Sequence, residues 1–362
     1  MKNSFICTTK YHLFNIVNII HDNYSLDENY LIILDCIERM SLEIQEIAES
    51  FKCFKRILII HAGNIDASIR SYLQTLYRIA FPSSLRGFSA KMDRVFITAT
   101  EIYSRVLTYN LLKKNPSLEL YYYEDGLGSY SDVLSRATHN RTNILLKYRF
   151  GYYLIDKCKG LFVYKPQYVF ENPYKKELYS IRQIESKSEY AKGLYRAFSI
   201  DKIKVNKNIF PIYFDVSFYD SKNIENCNKY FKIIEEELDG KVLVKPHPSK
   251  LNFWDKNKKN ILFTSDTFEI FCLMYSFNDR MLLSVFSTSC LIPKMVFGME
   301  PFVILFYKLF ENYNSQWKNV DKIVDAIKND YKNQLKFIVP NSEDELRKAL
   351  KQLSSKGNQY EN

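Results

Sequence analysis

SFICTTKYHLFNIVNIIHDN, residues 4–23, decides how the rest of the chain is read. SFICTT (4–9) is a short apolar run of strand length. HLFNIVNIIHDN (12–23) follows at once as a helix. The same alternation continues through the first half of the chain. YLIILDC (30–36), RILIIHA (56–62), RVFITAT (94–100) and LELYYYE (118–124) are further strands. Amphipathic stretches such as SLEIQEIAESFK and SIRSYLQTLYRIA lie between them. Short apolar strands alternating with helices indicate a parallel sheet covered on both faces.

Residues 176–208 are charged and weakly periodic and read as an exposed helix followed by a linker. A second strand series follows: IFPIYFD (209–215), KVLVKPH (241–247), ILFTS (261–265), RMLLSVFS (280–287) and PFVILFY (301–307). The tail, SEDELRKALKQLSSK, opens with a Ser-x-x-Glu capping box and reads as a terminal helix. The expected fold class is therefore α/β, with two Rossmann-like domains, 1–200 and 201–362. Two such domains facing each other make a cleft at the carboxyl ends of their strands.

Composition agrees with a folded chain of that size. Of 362 residues, 46% are hydrophobic and 25% charged, both ordinary for a soluble protein. The seven cysteines are scattered without a CxxC, which fits reduced core thiols and a cytoplasmic setting. The N-terminus is interrupted by Thr8, Thr9, Lys10 and His12 and does not read as a signal peptide. No run approaches the roughly 20 apolar residues of a membrane span. The net charge of +10 suits an anionic partner. The lysines are dispersed apart from KNKK (256–259), so nucleic acid is not the expected partner.

Three stretches carry candidate chemistry. YYYEDGLGSY (121–130) runs three tyrosines into Glu124 and Asp125, with Gly126 and Gly128 allowing the turn. Two adjacent carboxylates repel each other, and a solvated loop explains them as readily as a site. KVLVKPHPSK (241–250) ends a buried strand in Lys245, Pro246, His247 and Pro248. The prolines stiffen a loop at the strand's carboxyl end, where α/β domains place ligand-facing groups. SVFSTSC (284–290) brings Ser287, Thr288 and Ser289 to the start of a short helix, with Pro293 in its first turn. Hydroxyls there can bind an anion or merely cap the helix. Glu269 is a lone carboxylate in an apolar helical stretch, SDTFEIFCLMY. The five histidines have no ligand spacing, and no DxD triplet, GxxxxGK[ST] or GxGxxG appears, so neither a metal nor a cofactor is expected.

EDG in the first domain, HP in the second, and a Ser/Thr cluster after HP resemble bacterial sialyltransferases, most closely glycosyltransferase family 52, the lipooligosaccharide and capsule enzymes. FICTTKYHLFNIVNII is similar to that family's opening strand and helix. The resemblance implies a GT-B fold and a metal-independent, inverting transfer of sialic acid from CMP-sialic acid to a terminal galactoside of a bacterial surface glycan, in alpha-2,3 linkage. Carried over by motif, Asp125 is the general base and His247 assists the departing CMP phosphate. Glu124, Gly126, Lys245, Pro248, Ser287, Thr288 and Ser289 lie on the donor side, and Glu269 contacts the cytidine ribose. Asp215, at the end of PIYFD, is the alternative base. Glu124 is expected to raise the basicity of its neighbour Asp125. The resemblance allows a homodimer. The charge suits peripheral contact with the inner face of an anionic membrane. Two other readings stand beside this one. The chain could be a polysialyltransferase or an enzyme using another nucleotide sugar, or a non-catalytic glycan- or nucleotide-binding protein.

Overall fold

The computed structural model describes residues 1–35, 40–61, 77, 91–98, 102–131, 134, 137–138, 141–198, 211–216, 221–247, 260–262, 267–310 and 318–357. Pro248, His139, Cys36, SIRSYLQTLYRI apart from Tyr77, KNKK and most of ILFTS lie outside them. The chain divides into two units, Met1–Arg182 and Gln183–Asn362.

The first unit holds a seven-stranded, wholly parallel sheet. Its strands are β1 (Lys2–Cys7), β2 (Glu28–Asp35), β3 (Arg56–His61), β4 (Arg94–Ile97), β5 (Glu119–Tyr123), β6 (Cys158–Val163) and β7 (Glu177–Ser180). They lie in the order β3-β2-β1-β4-β5-β6-β7, so the order reverses between β1 and β4. Its described helices are α1 (Lys10–Ile19), α2 (Met40–Ser50), α3 (Ile102–Lys114), α4 (Gly128–Ser131), α5 (Arg141–Phe150) and α6 (Leu154–Lys157). Successive side chains of a strand point to opposite faces. One face here carries a row of rings across five strands. Phe5 stacks on Phe96 at 4.4 Å, Phe96 on Tyr121 at 5.2 Å, and Phe162 on Tyr179 at 4.7 Å, with Tyr121 edge-on to Phe162.

The second unit holds β8 (Ile212–Phe214), β9 (Leu243–Lys245), β10 (Met281–Ser284), β11 (Phe302–Leu305) and β12 (Phe337–Ile338), also all parallel. Their order, β12-β11-β10-β8-β9, reverses between β8 and β10. Its described helices are α7 (Glu189–Phe198), α8 (Ser221–Glu237), α9 (Phe268–Met274), α10 (Ile292–Phe297), α11 (Lys318–Asn329) and α12 (Glu343–Gly357). The tail starts α12 as the capping residue predicts: Ser342 Oγ accepts from the Glu345 N–H at 3.2 Å.

Two differences from the sequence reading matter. The unit boundary falls at residue 182, short of the expected 200, because the segment after Arg182 packs into the second sheet's layers. Ile184 N–H donates to Val296 O, and the Gln183 side chain donates to the Lys294 and Met295 carbonyls. Helix α7, expected to be exposed, buries Ala191, Leu194 and Phe198. Strands β6, β7 and β12 were not anticipated.

Candidate functional site

The described residues singled out by sequence follow the carboxyl ends of strands or open the helices after them, and in each unit the strand order reverses within the sheet. In open α/β sheets ligands bind outside the carboxyl ends of the strands, where that order reverses.

In the first unit, Thr9 caps α1 by accepting from the His12 N–H at 3.2 Å, which fixes His12 in the first turn. The Thr8 N–H donates to His12 Nδ1 at 3.2 Å. Nδ1 therefore carries no proton in the neutral ring, and Nε2–H donates to Asp125 Oδ1 at 2.7 Å. The imidazole is buried, whereas the Asp125 side chain is 25% exposed. The carboxylate is thus the member of the pair that a substrate can reach. Gly126 takes a φ of +77°, in the left-handed region, so the glycine of EDG is a backbone requirement of this turn. The Asp125 N–H closes the turn onto Ser129 Oγ at 2.7 Å.

Glu124 behaves differently from its neighbour. It is wholly buried. Tyr11 donates its hydroxyl to Oε1 at 3.0 Å, the Tyr164 N–H donates to Oε2 at 3.0 Å, and the Tyr130 hydroxyl also donates to Oε2. Asn15 Nδ2 donates to the Glu124 carbonyl at 3.0 Å, and the Tyr164 hydroxyl donates to Asn15 Oδ1. Burial pushes the Glu124 carboxyl up to about 7, against the pull of those donors. Glu124 therefore anchors the loop from behind, with no surface turned to a donor substrate.

In the second unit, Asp215 follows β8, its N–H donating to the Lys245 carbonyl at 3.0 Å. Asp215 is 7% exposed, and its Oδ1 accepts the Val216 N–H at 2.8 Å. Lys245 ends β9 and His247 follows, both half-buried. Glu269 is buried in the first turn of α9. Burial raises its carboxyl above the usual range, partly offset by its own backbone N–H, the Thr267 side chain and the charge of Lys245. Ser284 at the end of β10 donates to the Phe214 carbonyl at 2.9 Å, which ties together the two strands that flank the reversal. Ser287, Thr288 and Ser289 follow, all half-buried. Ser287 Oγ accepts the Ser289 N–H at 3.3 Å and caps a 3-10 turn, Thr288–Cys290. Helix α10 begins only at Ile292, with Pro293 in its first turn, so these hydroxyls do not open that helix as the sequence suggested.

His12 is the residue that the sequence reading missed. The signal available was its place just after β1, at the carboxyl edge, but a histidine in an apolar helix reads first as core.

No protein family model matches this chain, and no curated protein matches it in sequence. Solved structures do match in fold. A glycosyltransferase of kitacinnamycin superposes with a TM-score of 0.53 over 99% of this chain and 91% of that one, at 8% identity. A UDP-N-acetylglucosamine 2-epimerase gives 0.48 over 96% and 94% of the two chains, at 10% identity. Arabidopsis thaliana UGT89C1, complexed with UDP-L-rhamnose, gives 0.48 over 99% and 94%, at 12% identity. The fold is of the GT-B type. Each unit contributes one Rossmann-like sheet. A shared fold at such identities does not select a reaction.

Proposed function

We propose that this protein is a glycosyltransferase that moves a sugar from a nucleotide-sugar donor to a hydroxyl acceptor, and that the donor is CMP-sialic acid. The observation that carries this reading is Asp125. It is a half-buried, solvent-reachable carboxylate after β5, held by His12 after β1 at the carboxyl edge of a Rossmann-like sheet whose strand order reverses between β1 and β4. Such a group is suited to take the proton of an acceptor hydroxyl. Asp215 is the less accessible carboxylate, with its Oδ1 taken up by the Val216 N–H, so the reading takes Asp125 as the base.

In this reading His247 and Lys245 meet the departing phosphate. Sialic acid leaves through an oxocarbenium-like state, so stabilising the leaving group matters most. The half-buried hydroxyls of Ser287, Thr288 and Ser289 add neutral donors for the same group. Glu269, buried within reach of the Lys245 charge, is assigned to the ribose by the motif resemblance. The order of EDG, HP and the Ser/Thr cluster supports the sialic acid donor, and the acceptor that follows is a galactoside-terminated glycan. His12 is a positioning residue here. With Nδ1 taken up by the Thr8 N–H, the imidazole donates one hydrogen bond and keeps Asp125 turned outward.

The test is a thermal-shift panel of CMP, UDP, GDP and ADP, followed by transfer assays from CMP-sialic acid to a galactoside. CMP alone is expected to raise the melting temperature through binding to the native state, and His247→Ala is expected to weaken that rise. Asp125→Asn is expected to keep the CMP response and to lose about 10²–10⁴-fold in turnover. A response to UDP or GDP in place of CMP would discard sialic acid and retain the transferase. No response to any nucleotide, with no transfer, would overturn the reading altogether.

A further inference from the structure

Helix α5, RTNILLKYRF, is built unlike the other described helices of its unit. Only Leu146 is buried. Ile144, Leu145 and Tyr148 are 49%, 41% and 93% exposed. At 3.6 residues per turn these three share one arc of about 100° on the side away from Leu146. Arg141 falls within that arc, and Lys147 and Arg149 flank it, all three exposed. No carboxylate occurs between Arg141 and Ile155. The nearest, Asp156, accepts the Tyr153 N–H at 3.0 Å. Beyond the helix, Lys147 Nζ lies 4.4 Å from the Tyr153 ring and Lys157 Nζ 5.3 Å from the Tyr152 ring.

We propose that this face of α5 docks the protein on the surface of an anionic lipid bilayer. A short helix with an apolar arc edged by Lys and Arg lies in the plane of the interface. Its apolar side chains enter the acyl boundary while its cations meet anionic headgroups. Ten residues are too few to span a bilayer, so the contact is peripheral. The charge pattern decides against other occupants. A second copy would set three cations against three, which opposes pairing. A nucleic acid would meet apolar side chains at the centre of the face, where phosphates need donors. The tyrosines with lysines over their rings suit the headgroup layer, where one end of the side chain is wet and the other apolar. The inference does not depend on the transfer reaction.

The experiment is flotation of the full chain with phosphatidylcholine vesicles, with and without phosphatidylglycerol. Wild type is expected to float with the anionic vesicles and to be released by salt. Each cation near an anionic surface contributes about fivefold in affinity, so Lys147→Glu with Arg149→Glu is expected to weaken binding by about 25-fold or more. Ile144→Ser, Leu145→Ser and Tyr148→Ser together are expected to weaken it by about tenfold or more. These side chains are exposed, and circular dichroism of each variant checks that the fold is kept. Wild type failing to float with anionic vesicles would overturn the proposal, as would variants that bind like wild type. A wild-type dimer in sedimentation equilibrium that the apolar variant dissociates would overturn it in favour of a second copy.

Discussion

Glu124 ties the chemistry of the EDG turn to the stability of the fold. Its carboxyl is held at about 7 in the folded chain, against a usual 4.5. The folded state therefore binds this proton more tightly than the unfolded state does. The stabilisation is complete below pH 4.5 and is lost as the pH rises through 7, by about 3 kcal/mol in all. Glu124→Gln can keep the Tyr130 and Tyr164 donors on its oxygen and donate its amide to a reversed Tyr11 hydroxyl. That variant is expected to unfold in urea within about 1 kcal/mol of wild type at pH 5 and to lack the decline between pH 5 and 7. Glu124→Ala removes the shared acceptor of the Tyr11 and Tyr130 hydroxyls, while the Tyr164 N–H still reaches the Tyr130 hydroxyl oxygen at 3.1 Å, and is expected to cost about 3 kcal/mol. A wild-type decline that persists unchanged in Glu124→Gln would assign it to another group. The sequence made the turn and the need for Gly126 legible. It could not say which carboxylate faces outward, and the inward one turned out to be Glu124. Glu124 is itself raised, because the buried carboxylate bears the cost of lost solvation. His12 stayed hidden because its partner lies 113 residues away.

At the level of elements, the strands with long apolar runs were legible, and β6 and β7 were not. CKGLFV has Lys159 and Gly160 as its second and third residues, and ELYS is a four-residue strand at the sheet edge. Their identity comes from pairing, which composition does not display. Gly160 shows why. A Cβ there would stand 2.5 Å from the Glu177 carbonyl oxygen and 2.5 Å from the Tyr179 ring. The glycine lets β7 approach and lets Tyr179 lie flat on Phe162. Gly160→Ala is expected to destabilise the chain by about 2 kcal/mol, since a paired backbone carbonyl cannot move aside cheaply. Gly193 makes the matched control. It is exposed inside α7, with nothing within 4 Å of an added Cβ. Gly193→Ala is expected to stabilise by about 1 kcal/mol through helix propensity. Urea unfolding of both variants checks the pair of signs. Equal, small effects would mean that β7 does not depend on the close approach at Gly160.

For the whole molecule, the question is where one folding unit stops and the next begins. The sequence placed the boundary near residue 200 because α7 is dominated by Glu189, Lys192 and Arg196. Its apolar positions, Ala191, Leu194 and Phe198, fall at helical spacing on one buried stripe. The segment leading into α7 is held as well: the Ser186 hydroxyl donates to the Cys272 carbonyl at 2.7 Å, and the Lys187 N–H donates to the Leu273 carbonyl at 2.9 Å. Both acceptors lie in α9, so α7 and its lead-in belong to the second unit's core. Removing them takes away the burial of Ile184, Leu194 and Phe198, about 2 kcal/mol each, and leaves the facing side of α9 in water. The total, about 6 kcal/mol, is comparable to the whole stability of a small domain. A fragment of residues 183–362 is therefore expected to unfold cooperatively in urea, and a fragment of 201–362 to show no cooperative transition. Equal urea midpoints for the two fragments would return the boundary to the position that the charge pattern suggests, and α7 would then be an appendage of the second unit.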